Sequence, residues 1–331
     1  MASTYVIVTI ATNFTISIVG TIGNVLLILA FIKCRDLRTI SNVFNLTTFV
    51  AGLSVCAITY PLQGLLDAFV IRQNPGCLLV LCVAFFTGFF FTLNVLALTI
   101  ERYIAICHSL HAPTILTKRR VAMALGGILV YAAFFGLILP MATPISNKEK
   151  VDPAVGCRLF VIVHKSYVTF IFTTFIFPAL PMLLIYTRIF VVLRRHIRAV
   201  VDLSTVRPTG QADQIEANAR PALRERERRE RARRKREVKS AVFLFILIFS
   251  FIACVLPFAI FILTTTFTLK ILISPLAFSL SHALVYSVCA INPYLYGFGN
   301  KAFRQGVLSL FRTGRKSSDA PTISTISTSK K

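Results

Sequence analysis

The chain has no tryptophan, and acid is scarce: 13 Asp and Glu stand against 36 Lys and Arg in 331 residues. Only 15% of the residues are charged, where a soluble domain carries about 25% because its surface must be wetted. With 56% hydrophobic residues and a mean hydropathy of +0.74, most of the chain has no polar face to offer water. These shortages exclude an ordinary soluble domain. Metal-ligand spacing is missing as well, since the five His and eight Cys form no zinc-type pattern. No nucleophile–base pair suggests an enzyme, so no catalytic residue, metal or cofactor is assigned. A net charge of +23 would point to nucleic acid in a soluble protein. Here the basic residues flank apolar runs and no separate soluble domain carries them, so nucleic acid is set aside as a partner.

What the chain does have is seven apolar segments, at approximately 6–32, 41–66, 75–106, 120–141, 166–195, 238–266 and 273–298. Each approaches or exceeds the roughly 20 residues a helix needs to cross a bilayer. The expected architecture is an all-α membrane protein, a seven-transmembrane helix bundle. A short amphipathic eighth helix follows at about 300–311, with Phe303, Val307, Leu308, Leu310 and Phe311 on one side and Lys301, Arg304 and Arg312 on the other. On this reading residues 1–311 form the membrane domain, 196–237 a long basic loop within it, and 312–331 a disordered tail.

The basic residues give the orientation. With the N-terminus outside, the outer connections hold only Arg72, Lys148, Lys150, Arg158, Lys165 and Lys270, and the other 30 of the 36 fall inside. The chain is then a multi-pass plasma-membrane protein with its C-terminus in the cytoplasm. Nothing before the first span resembles a cleavable signal peptide. The sequons at Asn13 and Asn45 lie within spans and are expected to stay unmodified. The run Arg224–Lys239 alternates Arg and Glu at helical spacing. It reads as a solvated helix extension, as a contact with anionic membrane lipid, or as a coupling surface for a cytoplasmic partner. Cys77 opens the third span from outside and Cys157 lies in the second outer loop. Both face an oxidising compartment, so a Cys77–Cys157 disulfide is the natural pairing.

Seven spans alone do not separate receptor from transporter or channel. A transporter predicts ionisable residues in mid-membrane and inverted repeats. The first are scarce here and the second are not seen. Glu101-Arg102-Tyr103 stands at the inner end of the third span, 25 residues after Cys77. An arginine at that border needs acidic partners, and Glu101 and Glu237 supply them. The seventh span ends in Asn292-Pro293-Tyr294-Leu295-Tyr296, with Phe303 beyond it. Pro61, Pro178 and Pro257 loosen the second, fifth and sixth spans. Gly23-Asn24 in the first span, Tyr186 in the fifth, and Phe251 with Cys254 in the sixth complete the set. Taken together it resembles the rhodopsin-like (class A) G-protein-coupled receptor family over nearly the whole chain.

The resemblance implies a mechanism. Arg102 would pair at rest with Glu101 and Glu237, tying the third and sixth helices. An outer ligand would favour a state in which the sixth helix swings out around Pro257. Arg102, Tyr186 and Tyr296 would then rearrange to admit a heterotrimeric G-protein, with Leu110 inserted into it. The Ser/Thr-rich tail from Ser317 to Ser329 would be a substrate of receptor kinases and a contact for arrestin. By composition alone it is a disordered segment.

Departures from the family pattern shape the expected ligand. The family's fourth-span Trp is Val130 and its sixth-span Trp is Val255. The second-span Asp is Gly52, and the third-span Ser that faces it is Phe91. Without that carboxylate no sodium site is expected, and basal signalling is expected to be high. Ala84 stands where amine receptors place an Asp, which disfavours a cationic amine. No lysine lies mid-membrane in the seventh span, which excludes an opsin-type light receptor. Family position nominates Phe85, Gly88, Phe160, Phe170, Thr174, Phe258, Ile262, Phe278, His282 and Tyr286 as lining, an aromatic cavity with few polar anchors. A small molecule of weak charge fits. Phe160 after the loop cysteine is similar to adenosine-type receptors. The run Arg102–His111 is similar to odorant-type receptors, so a chemosensory receptor is a rival reading. A non-signalling decoy or scaffold is another.

Overall fold

The computed structural model describes residues 2–67, 74–142, 165–205, 246, 249–258, 260 and 275–311. Helix α1 spans Ala2–Lys33. Helix α2 runs from Ile40–Ser54 through a π turn at Val55–Thr59 into Tyr60–Asp67, and α3 spans Asn74–Cys107. Helix α4 runs from Lys118–Ala133 through a second π turn at Phe134–Ile138 into Leu139–Ala142. Helix α5 comprises Lys165–Ile176 and Ala179–Thr205, α6 is described over Phe249–Phe258, α7 spans Pro275–Gly299 and α8 spans Lys301–Phe311. Among the described residues, five stretches are long and apolar enough to cross a membrane: Val6–Lys33, Ile40–Leu66, Gly76–Cys107, Lys118–Ala142 and Thr169–Val192.

Helix is the expected outcome of such sequence, because hydrocarbon offers backbone groups no water to bond. The ends are marked by local chemistry. Thr39 caps α2 by accepting from Asn42 N (3.3 Å), and Thr117 caps α4 by accepting from Arg120 N (3.4 Å). Asn300 separates α7 from α8 and accepts from Ala302 N at 3.0 Å. Residues 196–205, expected as the start of the basic loop, are instead a continuation of α5 to Thr205. No Gly or Pro interrupts the chain between Met182 and Arg207, so nothing ends the helix sooner.

Proline explains the irregularities. It has no N–H to give and its ring crowds the carbonyl behind it. In α2 the Tyr60 N–H bonds back to Val55 O, and Pro61 follows with no N–H, so the Cys56 carbonyl has lost both backbone donors within reach. Ser17 of α1 donates to it at 2.7 Å. The α4 turn repeats the arrangement. Leu139 N–H bonds to Phe134 O, Pro140 has no N–H, and the Phe135 carbonyl accepts instead from the Tyr167 hydroxyl of α5. In α7, Pro293 removes the donor for Cys289 O, and Asn24 Nδ2 of α1 donates to it at 3.1 Å. Three carbonyls orphaned by prolines are thus each taken by a side chain from another helix. At Pro178 the chain turns over Phe177 and Pro178 before helix resumes.

Packing follows the same contacts. Gly23 lets α7 approach α1, since a Cβ there would lie 2.8 Å from the Pro293 ring and 2.9 Å from Tyr294. Small residues at such crossings are what helix association in lipid requires. The main core draws on all eight helices around Phe49, Val55, Val95, Tyr186, Phe251 and Tyr296. A second core joins α2, α3, α4 and α5 around Phe85, Phe89 and Ile171. Helix α8 turns Phe303, fully buried, with Val307 and Leu310 toward the bundle, and leaves Leu308 and Phe311 exposed. Asn13 and Asn45 are buried within α1 and α2.

Leaving a buried carbonyl without a donor costs about 1–3 kcal/mol. Ser17→Ala and Tyr167→Phe are therefore each expected to lower the thermal unfolding midpoint of purified protein. Thr12→Ala removes only an exposed hydroxyl bonded within its own helix (to Val8 O, 2.8 Å) and is expected to leave the midpoint in place. Equal midpoints for all three would show that the captured carbonyls do not hold the helices together.

Candidate functional site

The C-terminal end of α3 carries the one ion pair among the described residues. Arg102 Nε stands 3.1 Å from Glu101 Oε2, with the glutamate side chain 1% exposed and the arginine 18%. The contact is electrostatic, without an aligned hydrogen bond between the two. Ser41, at the start of α2, faces the same carboxylate. Tyr186 of α5 and Tyr296 of α7 both lie within electrostatic reach of Arg102 and Glu101. Among the described residues, neither the buried Tyr186 hydroxyl nor either amide atom of Asn292 has a hydrogen-bond partner. The ring of Tyr296 is held edge-on by Phe49 (5.3 Å) and Phe303 (6.2 Å), which ties α2, α7 and α8 together. Phe251 and Val255 of α6 are buried in the same core, and Cys254 Sγ lies 4.0 Å from Ser287 Oγ of α7. Below it, Tyr103 packs edge-on against His108 at 5.4 Å, and Leu110 projects from the loop at 89% exposure. Pro257 lies in α6, within the described stretch Phe249–Phe258.

Midway along the bundle, Asn24 fills the place where a second-span carboxylate is absent. Its Nδ2 also donates to Gly20 O at 2.8 Å, and its Oδ1 lies 2.8 Å from where a Cβ on residue 52 would stand. Phe91 is buried in the main core. An Asp at 52 would therefore have to displace Asn24.

The outer half divides in two. On the α3–α4–α5 side, Phe85 stacks on Phe89 (6.5 Å) and meets Tyr167 edge-on (5.9 Å), while Phe170 packs on Phe135 (5.0 Å). Gly88 does not face open space: the Phe175 ring covers it, 2.8 Å from where a Cβ would be. Thr174 donates to Phe170 O at 2.9 Å, its own helix. That side is packed aromatic core rather than open cavity. On the α6–α7 side, His282 meets Tyr286 (4.7 Å) and Phe258 (5.4 Å), and Tyr286 meets Tyr60 (5.6 Å). The Tyr60 hydroxyl donates to Ala283 O at 2.9 Å. His282 and Tyr286 are half-buried.

Cys77 is disulfide-bonded, and Cys34, Cys56, Cys82, Cys107, Cys254 and Cys289 are free. Cys157, Phe160, Glu237 and Ile262 lie outside the described residues, as does the side chain of Phe278. Ser41, Tyr60 and Phe175 were not nominated by sequence. Ser41 and Tyr60 carry no motif of their own, and Phe175 is one phenylalanine among 29.

Residues 23–296 match a family model described as 7 transmembrane receptor (rhodopsin family), well over half of the chain. The chain belongs to that family. It is similar to adenosine receptor A3 of Canis lupus familiaris, 25% identical over 316 residues, which cover 92% of this chain and 90% of that one. It is also similar to dopamine receptor 1 of Drosophila melanogaster, 24% identical over 298 residues, 85% of this chain and 58% of that protein. The chain thus spans little more than half the length of the second relative. It is a seven-transmembrane helical receptor of the plasma membrane and a G-protein-coupled receptor, in a family of receptors rather than enzymes.

Gly52→Ala in the receptor is expected to push the Asn24 amide away and deprive Cys289 O of its donor. A loss of about 1–3 kcal/mol in stability should follow, read as a lower unfolding midpoint in detergent. An unchanged midpoint would mean that Asn24 does not hold α7 to α1.

Proposed function

We propose that this receptor binds a small molecule of weak charge from the outer side and activates a heterotrimeric G-protein through Arg102. The observation that carries the reading is the buried 3.1 Å Glu101–Arg102 contact, with Tyr186 and Tyr296 facing it from two other helices. An arginine so placed has high energy unless paired, because desolvating a charge is costly. It therefore moves only when something replaces the pairing. Glu237, in the same proposal, adds a second carboxylate from the inner start of the sixth span. Ligand binding shifts the population toward the state in which that span swings out around Pro257. Arg102 then leaves Glu101 for the Tyr186 and Tyr296 side, and Leu110, already exposed, meets the G-protein.

For the ligand, support lies with His282, Tyr286, Phe258 and Tyr60. They offer hydrogen bonds and aromatic faces and no carboxylate. This favours a neutral or weakly polar molecule over a cationic amine. The same proposal places the N-terminus outside and pairs Cys77 with Cys157, a pairing supported by Cys77 being bonded while six other cysteines are free. Receptor kinases and arrestin act on the Ser/Thr-rich tail. A non-signalling decoy is the second reading, favoured by the absence of tryptophan and by Asn24 tying α7 to α1.

The test is basal G-protein activation in cells across the main G-protein classes. With Gly52 and Phe91 in place of the Asp–Ser pair, basal signal is expected above that of non-expressing cells, and Arg102→Ala should abolish it. Silence of the parent at confirmed surface expression, under any ligand, would instead establish the decoy. Once an agonist is found, His282→Ala and Tyr286→Phe should each raise its half-maximal concentration roughly tenfold, the cost of one lost hydrogen bond. Unaltered potency in both would move the ligand elsewhere.

A further inference from the structure

Beyond the membrane, α5 keeps a pattern that hydrocarbon no longer demands. Its apolar span ends at Val192, yet the helix runs unbroken from Ala179 to Thr205. The extension Leu193–Thr205 adds about 20 Å of helix at 1.5 Å per residue. Within the span, Met182, Tyr186 and Ile189 form a line that is buried in the bundle. Leu193, Ile197 and Val200 continue that line at the same helical spacing, with Val201 beside it. Arg194, Arg195 and Arg198 fall off the line, against a single acid in the extension, Asp202. Arg194 is exposed, its guanidinium 4.7 Å over the Phe190 ring. By sequence and spacing the extension is a basic amphipathic helix.

The receptor and its membrane offer this stripe poor cover. A membrane surface takes a basic amphipathic helix that lies in its plane. This one continues a spanning helix, and no Gly or Pro between Met182 and Arg207 lets it turn aside. The run leading into the sixth span has no matching stripe, since Ala232 and Val238 are the only apolar residues of Arg224–Lys239. Helix α8 is also basic and amphipathic, but its apolar face is spent: Phe303 is fully buried, and Val307 and Leu310 pack on the main core.

We propose that Leu193–Thr205 is the docking helix for a calcium-loaded EF-hand sensor protein, with the apolar stripe seated in the sensor's hydrophobic groove. Such sensors open a Met-rich groove when calcium binds. They take basic amphipathic helices by apolar anchors at positions i, i+4 and i+7. Leu193, Ile197 and Val200 have that spacing. Charge complementarity selects the class, because EF-hand loops are built from Asp and Glu and three arginines flank the stripe. Placement of the helix in the cytoplasm rests on the orientation proposed above. Binding by the purified receptor does not.

The test uses the full-length receptor in phosphatidylcholine nanodiscs, without G-protein or receptor ligand, and labelled calmodulin as the probe, read by fluorescence anisotropy. Saturable binding is expected in calcium and none in excess chelator. Ile197→Ser and Val200→Ser should each raise the Kd roughly tenfold, and together roughly a hundredfold, as buried anchors are lost. Arg195→Gln/Arg198→Gln should weaken binding and flatten its dependence on salt. Lys301→Gln/Arg304→Gln, on α8, should leave it unchanged. No binding in calcium would overturn the proposal and leave the stripe to the G-protein. Equal binding without calcium, or parent-like binding by the Ile197→Ser/Val200→Ser variant, would overturn it as well. A receptor silent in the basal-signalling test would still pass this one, so the two readings fail separately. An antibody to a C-terminal tag reads orientation alone. Staining only after permeabilisation supports the cytoplasmic placement, and staining of intact cells would put the helix beyond the sensor's reach and overturn the proposal.

Discussion

A peptide carbonyl inside a membrane must find a donor within the protein, and that requirement organises this receptor. Helix satisfies nearly all of them, and proline creates the exceptions. At Pro61, Pro140 and Pro293 the freed carbonyl belongs to Cys56, Phe135 and Cys289, and the donors are Ser17, Tyr167 and Asn24. Each capture joins a different pair of helices: α1 to α2, α5 to α4, and α1 to α7. The prolines that bend the helices thus also specify which neighbour must lie beside each bend. Hydroxyls without such a task bond back within their own helix, as Thr48 does to Phe44 O and Thr99 to Val95 O.

The same scarcity of water gives the inner ion pair its role. In water an Arg–Glu contact contributes little, but among apolar side chains removing one partner is costly, which is why the proposed switch is placed there. Glu101 is the most buried charged group in the described core, and Arg102 keeps only a narrow exposed face. The surrounding rings, Phe49, Tyr296 and Phe303, join three helices at that level and leave few ways for the pair to rearrange. A ligand acting at His282 and Tyr286, as proposed, would share α7 with Asn292, Tyr296 and the Asn24 tie. The two proposed sites would therefore connect through one helix that the Asn24 amide joins to α1.

Much of this was legible in the sequence. Apolar runs of bilayer length marked five spans to within a few residues, because in hydrocarbon length and composition are nearly the whole signal. Glu101-Arg102-Tyr103 and the Asn292–Tyr296 stretch marked the inner site, since charge and proline inside a span are costly and therefore informative. Other features were not legible. Pro61 and Pro140 announce an orphaned carbonyl, but only the fold says that Ser17 and Tyr167 take it. Gly88 reads as room for a ligand until Phe175, far along the chain, is seen to cover it. The continuation of α5 to Thr205 was hidden by its polar composition, although the absence of Gly and Pro before Pro208 was a usable sign. Gly52 reads as a missing carboxylate, and only the packing shows that Asn24 occupies its place.

The central claim is that Arg102 governs the movement of the sixth span. It is tested most directly by a spin-label distance between His108, at the inner end of α3, and Lys239, at the inner start of that span. Adding purified G-protein should lengthen the distance by several ångströms in the parent receptor and leave it unchanged in Arg102→Ala. A parent distance that stays fixed while G-protein is bound would contradict the account.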